Sequence, residues 1–399
     1  MRRVVITGAG SINALGVGVE AFEAGLRAAR CAIGTVSVFD SGGYRSHCAA
    51  EVTDLRAPAW LPKPIARRAS RSDLLALIAA REALETAALD GAALELGVVV
   101  GATTGGMYGS EEYVRRSRLG LPTRPEVVLT TPVSASTDLL ASVLGCEGPR
   151  LTVSTACSSG ANAVGIAADW IHSGRAEAVL CGGVDSLCRM TFSGFNALQA
   201  LDTVPCRPFD RQRAGLTLGE GAAMFVLEDR DRALGRGATI FAEFLGYGIS
   251  TDAHHITQPR PDGAGALLAM RRALEDGHVA AEEIDYVNAH GTATVLNDAL
   301  ETRAIKALCG AHAQHIPVSS TKSMVGHCLA ASGAIEALAC VLALRGGFVP
   351  ATATLVEPDP ECDLDYVPRV SRTQALRTVL SNSYGFGGNN TALVLRRAE

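Results

Sequence analysis

No Cys-x-x-Cys pair occurs among the eleven cysteines of this 399-residue sequence. Their number is odd, and no Cys/His group has zinc-finger spacing, which argues against a disulfide framework and a structural zinc site. Most of these thiols read as buried and inert, in a reducing compartment. No run of 18 apolar residues is present, and Met1-Arg2-Arg3 leads into Val4-Val5-Ile6 with no signal-peptide core. A cytoplasmic protein without a membrane span is the expectation. Charge of either sign is modest at a net −5, so no attraction to nucleic acid follows. Aromatics make up only 5%. What is abundant is glycine, at 42, within a composition 48% hydrophobic. That suits an α/β protein with small-residue packing. The length fits roughly two or three domains, or one large core.

The richest stretch is Thr152–Gly165. Leu151, Thr152 and Val153 read as the end of a buried strand, and Ile166, Ala167, Trp170 and Ile171 continue a helical pattern to Gly174. Cys157 falls on the turn between them, where unpaired amides and a helix dipole favour a thiolate. Ala156, Ser158, Ser159 and Gly160 leave the sulfur approachable. By itself, a cysteine among small residues is usually a packed core thiol.

Val4–Gly10 is a strand and Gly turn like the start of a dinucleotide-binding unit, but Asn13 stands where a third glycine belongs. A structural turn is the better reading. Leu61–Leu84 reads as one helix, with Lys63, Arg67, Arg68 and Arg71 crowded at and before its start. They form either a solvated face or a landing patch for an acidic partner. Leu96–Gly101 and Glu177–Gly183 are further strands, so helices and strands alternate around a mostly parallel, covered sheet. Leu218–Ala223, with Glu220, reads as a structural turn before the strand Met224–Leu227.

From Ile240 the pattern restarts. Ile284–Ala289 is a strand ending in His290-Gly291-Thr292-Ala293-Thr294, and Ile316–Ser320 is a strand before Lys322 and His327. Cys328–Leu344 is then a small-residue helix. The segments around Cys157 and His327 share one plan, about half a chain apart, which implies a duplicated unit whose two helix starts meet at one site. His327 at a helix start would be held as neutral imidazole. Two neutral imidazoles can stabilise an oxygen gaining negative charge. Glu336 lies in so apolar a run that it needs a partner, expected to be Lys322. The Gly385-Phe386-Gly387-Gly388 turn would close the site.

Four segments together carry a resemblance: Thr155–Gly160, Asn288–Thr294 with Asn297-Asp298 and Glu301, Lys322–His327, and Asn382–Gly388. In this order, over essentially the full length, the sequence resembles the β-ketoacyl-acyl-carrier-protein synthases of the I/II type, which are thiolase-fold condensing enzymes. The resemblance implies a duplicated α/β unit layered α-β-α-β-α with two mixed sheets. Residues 1–239 would carry the nucleophile and 240–399 both histidines. It implies a decarboxylative Claisen condensation of fatty acid elongation, in which Cys157 takes an acyl chain as thioester and attack comes from a malonyl-derived enolate. His290 and His327 would stabilise that enolate, with Lys322 and Glu336 supporting them. The amides of Cys157 and Phe386 would form the oxyanion hole, Phe386 would gate the pocket, and Thr292 and Thr294 would bind phosphopantetheine. That arm arrives on acyl carrier protein, so no cofactor or metal of the chain's own is implied. Lys63, Arg67, Arg68 and Arg71 would receive the carrier protein. A homodimer is implied, or a heterodimer with a chain-length-factor-like subunit. A degradative thiolase would need a second cysteine near Gly385–Asn390, where none stands. A non-catalytic partner subunit would lack Cys157. Tyr384, Asn389 and Ala214-Gly215-Leu216 depart from the family pattern and put pathway and chain length in question. A type II polyketide or aryl-polyene ketosynthase would carry the same catalytic groups.

Overall fold

A computed structural model describes residues 2–89 and 95–398. Ten main strands are built from the β-branched, Gly-spaced runs. They are β1 Val4–Asn13, β2 Gly97–Gly101, β3 Arg150–Val153, β4 Ala178–Asp185, β5 Gly221–Asp229, β6 Ala242–Thr251, β7 Tyr286–Asn288, β8 Val318–Ser319, β9 Thr378–Gly385 and β10 Asn389–Arg397. The helices that matter here are α1 Arg71–Thr86, α2 Ser159–His172, α3 Ala264–Asp276, α4 Val295–Cys309 and α5 Ser332–Gly346.

The strand order of the first half is β1-β5-β4-β2-β3, and that of the second is β6-β10-β9-β7-β8. Each position in one half has its counterpart in the other, parallel and antiparallel pairings included. Two mixed sheets of one design are therefore present. A short antiparallel seam, Val4–Ile6 against Ala242–Phe244, joins them edge to edge into one continuous 11-stranded sheet that also takes in Gly16–Val17. α2 and α5 pack on each other and on strands of both halves, forming the middle layer. α1 covers β1 and β5, and α3 covers β6 and β10, as outer layers. The five-layer α-β-α-β-α arrangement follows. Leu329–Gly346 has the length and apolarity of a membrane span, yet 89% of it is buried inside the protein. It is a core helix.

Three expectations do not hold. The sheet is mixed, not mostly parallel: β1, β5, β6 and β10 pair antiparallel with every neighbour. Val4–Gly10 does not turn at its glycines: the strand runs on to Asn13. A Cβ on Gly8 or Gly10 would lie 2.1 or 2.0 Å from a carbonyl oxygen of α1 (Ala83 or Ala79). In β6, Gly246 and Gly248 meet the carbonyls of Ala273 and Ala269 on α3 at 2.1 Å in the same way. The Gly-x-Gly spacing thus serves close helix-on-strand packing, once in each half. Leu61–Leu84 is also not one helix. A four-residue turn, Lys63–Ala66, precedes α1, which starts afresh at Ser70 because Ser70 and Asp73 form a capping box.

Candidate active site

Cys157 stands in the turn between β3 and α2, following Ala156 in the left-handed conformation (φ 53°). His290 follows β7, and His327 lies between the short helix Lys322–Val325 and the turn Leu329–Ala331 that leads into α5. One cavity of about 330 Å³ is lined by Cys157, His290, Thr292, Thr294, His327 and Phe386, among others. The first half supplies the sulfur and the second half both rings.

Hydrogen bonds fix the ring tautomers. The Leu329 backbone N–H donates to His327 Nδ1 at 3.1 Å, so that nitrogen carries no proton and Nε2 does. Ser332 Oγ lies 2.9 Å from the same Nδ1. Lys322 Nζ lies 3.3 Å from His290 Nδ1, donates to the His290 carbonyl at 2.6 Å, and pairs with Glu336. His290 is thereby also left with its proton on Nε2. The rings stand 5.5 Å apart and nearly perpendicular, at 86°. Burial, then the Lys322 charge, hold both well below the ordinary histidine pKa, so both are neutral at pH 7. The neutrality expected for His327 is present, but its cause is not a helix start, because the Leu329–Ala331 turn intervenes before α5.

The expected Lys322–Glu336 pair is present and buried. Burial raises the Glu336 carboxyl to about 7 against the pull of Lys322. The expected thiolate is not found. Cys157 is only 7% exposed, and burial pushes its thiol up to about 11 despite Lys322 and a hydrogen bond from the Phe386 amide. Local helix-dipole reasoning is outweighed by desolvation. The resting sulfur is a thiol.

Phe386 stacks on Phe195 at 5.6 Å, and Asn389 Nδ2 donates to its carbonyl at 3.1 Å. Thr292 and Thr294 meet hydroxyl to hydroxyl at 2.9 Å. The departures Tyr384, Ala214 and Leu216 also line the cavity, with the Tyr384 ring 5.4 Å from that of His290. Lys63, Arg67 and Arg68 are exposed. Arg71 is not part of that patch. Its Nε donates to Glu220 at 2.7 Å and its Nη2 to the Val52 carbonyl at 2.7 Å, because Glu220 is a buried carboxylate that needs a cation. Arg124 takes its place beside Arg67 and Arg68.

Sequence reasoning left Glu301 and Asp185 without roles. Glu301, on α4, accepts the amides of His290 and Gly291 at 2.8 Å each, and Asn382 Nδ2 at 3.1 Å. Its place in the motif was visible, but its partners were not. Burial raises its carboxyl from 4.5 to about 7. With the folded pKa above the unfolded one, its stabilisation is full below pH 4.5 and is lost as pH rises through 7. Glu301→Gln is expected to flatten the wild-type stability-against-pH curve between those limits, by up to ~1.4 kcal/mol per pH unit. Urea unfolding at a series of pH values measures it, and parallel curves would refute it.

Comparison with known proteins agrees with this geometry. Residues 1–233 match the model for the beta-ketoacyl synthase N-terminal domain, and residues 241–356 that for the C-terminal domain. The chain is 40% identical over 410 residues to a 3-oxoacyl-[acyl-carrier-protein] synthase 2 of Synechocystis sp., covering 100% of this chain and 99% of that one. It is 41% identical over 417 residues to the tetracenomycin polyketide synthase ketoacyl synthase alpha subunit of Streptomyces glaucescens, covering 100% and 98%. The solved ishigamide ketosynthase/chain length factor superposes with a TM-score of 0.93 at 37% identity, covering 100% of both chains. With two family models matched and relatives alike over their full length, the chain belongs to the β-ketoacyl synthase family.

Proposed function

We propose that the chain joins an acyl group, held on Cys157, to a malonyl group on acyl carrier protein, giving 3-oxoacyl carrier protein and carbon dioxide. The supporting observation is the cavity itself. It presents one thiol and two neutral imidazoles, each with Nε2–H as its only free donor. Acyl transfer to sulfur requires loss of the Cys157 proton as the thioester forms. The carrier protein's own thiol then leaves. Malonyl carrier protein enters next, and its thioester carbonyl oxygen accepts from His290 and His327. Loss of carbon dioxide puts charge on that oxygen, where fixed donors act most strongly. The enolate carbon attacks the acyl carbonyl, and the Cys157 and Phe386 amides receive the resulting oxyanion. Each such donor is worth on the order of 3 kcal/mol in barrier. Collapse of the oxyanion breaks the C–S bond, releasing 3-oxoacyl carrier protein and the Cys157 thiolate, which takes back a proton to return to the thiol. Lys322 and Glu336 orient His290, while Thr292 and Thr294 hold the phosphopantetheine arm. Incubation with acyl and malonyl carrier proteins tests this, since product and carbon dioxide must appear in equal amounts.

Fatty acid elongation in the cytoplasm is the favoured setting, with 1–239 and 240–399 acting as two halves of one homodimer subunit. The similarity to the tetracenomycin and ishigamide proteins favours a second reading, a type II polyketide ketosynthase paired with a chain-length-factor-like subunit. Assay with carrier proteins bearing chains of graded length and oxidation separates the two.

Lys63, Arg67 and Arg68, with Arg124, receive the acidic carrier protein. Arg67→Glu with Arg68→Glu is expected to raise KM for carrier-bound malonate roughly tenfold, with kcat little changed. The effect shrinks as salt rises, because the contacts are exposed. Steady-state kinetics at two ionic strengths checks it, and an unchanged KM would remove the patch from the interface.

A further inference from the structure

Asp185 ends β4 with no solvent exposure, on the far side of the turn that carries His327. Its Oδ1 accepts the amides of Thr103 and Thr104 at 2.9 and 2.7 Å and the Thr104 hydroxyl at 2.8 Å. Oδ2 accepts the Thr103 hydroxyl and, across the two halves, the Ala330 amide at 2.8 Å. Ala330 directly follows Leu329, whose amide caps His327 Nδ1 and whose φ of 50° is rare for a branched side chain. The same turn rests on bare backbone. A Cβ on Gly160 or Gly183 would meet the Ala330 carbonyl at 2.6 or 2.8 Å. The Leu329 conformation is thus gripped at Ala330 from both sides, by the Asp185 carboxylate and by these glycines.

We propose that Asp185 is a positioning residue for His327. Through the Ala330 amide it holds the Leu329 turn, which keeps Nδ1 capped and Nε2–H aimed into the cavity. The inference rests on His327 being an enolate donor, as proposed above. Asp185 touches no reacting atom, and its charge helps to raise the Cys157 thiol pKa, so Asp185→Asn weakens the decarboxylation step without hindering proton loss in acyl transfer. A side chain acting only on general stability would lower both together.

Asp185→Asn offers one oxygen where five donors converge. Its release of carbon dioxide from malonyl carrier protein is expected to fall about tenfold or more, the scale of a displaced catalytic group. KM for malonyl carrier protein and the single-turnover rate of Cys157 acylation should stay within about threefold of wild type. Should Asp185→Asn not fold, Thr103→Val, which removes only the hydroxyl donor to Oδ2, is read for the same selective loss. Equal falls in acylation and decarboxylation, or none in either, overturn the proposal. If His327→Ala loses carbon dioxide release while Asp185→Asn keeps it, the positioning role fails and the proposed reaction stands. If wild type releases none, the proposed reaction itself fails.

Discussion

Cys157→Ala is expected to abolish condensation while malonyl decarboxylation continues. Loss of a covalent nucleophile costs on the order of 10⁶ in turnover, so no product should be detected. The proposed enolate donors do not depend on the sulfur: His290 is oriented by Lys322 and His327 by the Leu329 amide. Carbon dioxide should therefore still appear, now uncoupled from product. Because the resting sulfur is a thiol with pKa about 11, its alkylation by an epoxide such as cerulenin should need proton loss within the cavity. Mass spectrometry of the wild-type protein is expected to place the adduct on Cys157, with none on Cys157→Ala. An adduct elsewhere, or product formed by the alanine variant, would dismiss Cys157 as the nucleophile.

His327→Ala should show the opposite pattern. Removing one preorganised donor to a developing oxyanion costs about 10²–10³ in rate. Acylation of Cys157 precedes enolate formation and should survive within a few-fold. Radiolabel in the malonyl carboxylate measures the first quantity and intact-protein mass the second. Carbon dioxide released at the wild-type rate would show that His327 has another role.

Local chemistry made much of this site legible. The small-residue turn at Cys157, the two histidine segments and the need of Glu336 for a cation are all consequences of neighbours along the chain. Contacts between distant segments stayed hidden. Nothing near Arg71 announces that Glu220 will take its charge inward, and nothing near Asp185 announces Ala330. The thiol shows the same divide: sequence places it beside a helix start, but its proton is held by desolvation, which only the folded cavity creates. The duplication was legible as a repeated strand-turn-helix plan. Its two glycine pairs were not, because a close approach to a helix carbonyl and a tight turn leave the same Gly-x-Gly spacing in sequence.

The seam of β1 on β6 has a consequence for accuracy. Sulfur and imidazoles hang from opposite sides of it, so their spacing depends on the alignment of Val4–Ile6 with Ala242–Phe244 as well as on the packing of α2 against α5. A slip of one residue there would carry one half past the other by about 3.3 Å and reverse which side chains face inward. Bond-making tolerates only a fraction of that error, about 0.5 Å. Fidelity of carbon–carbon joining is thus a matter of strand alignment, set when the sheet forms and long before any substrate arrives.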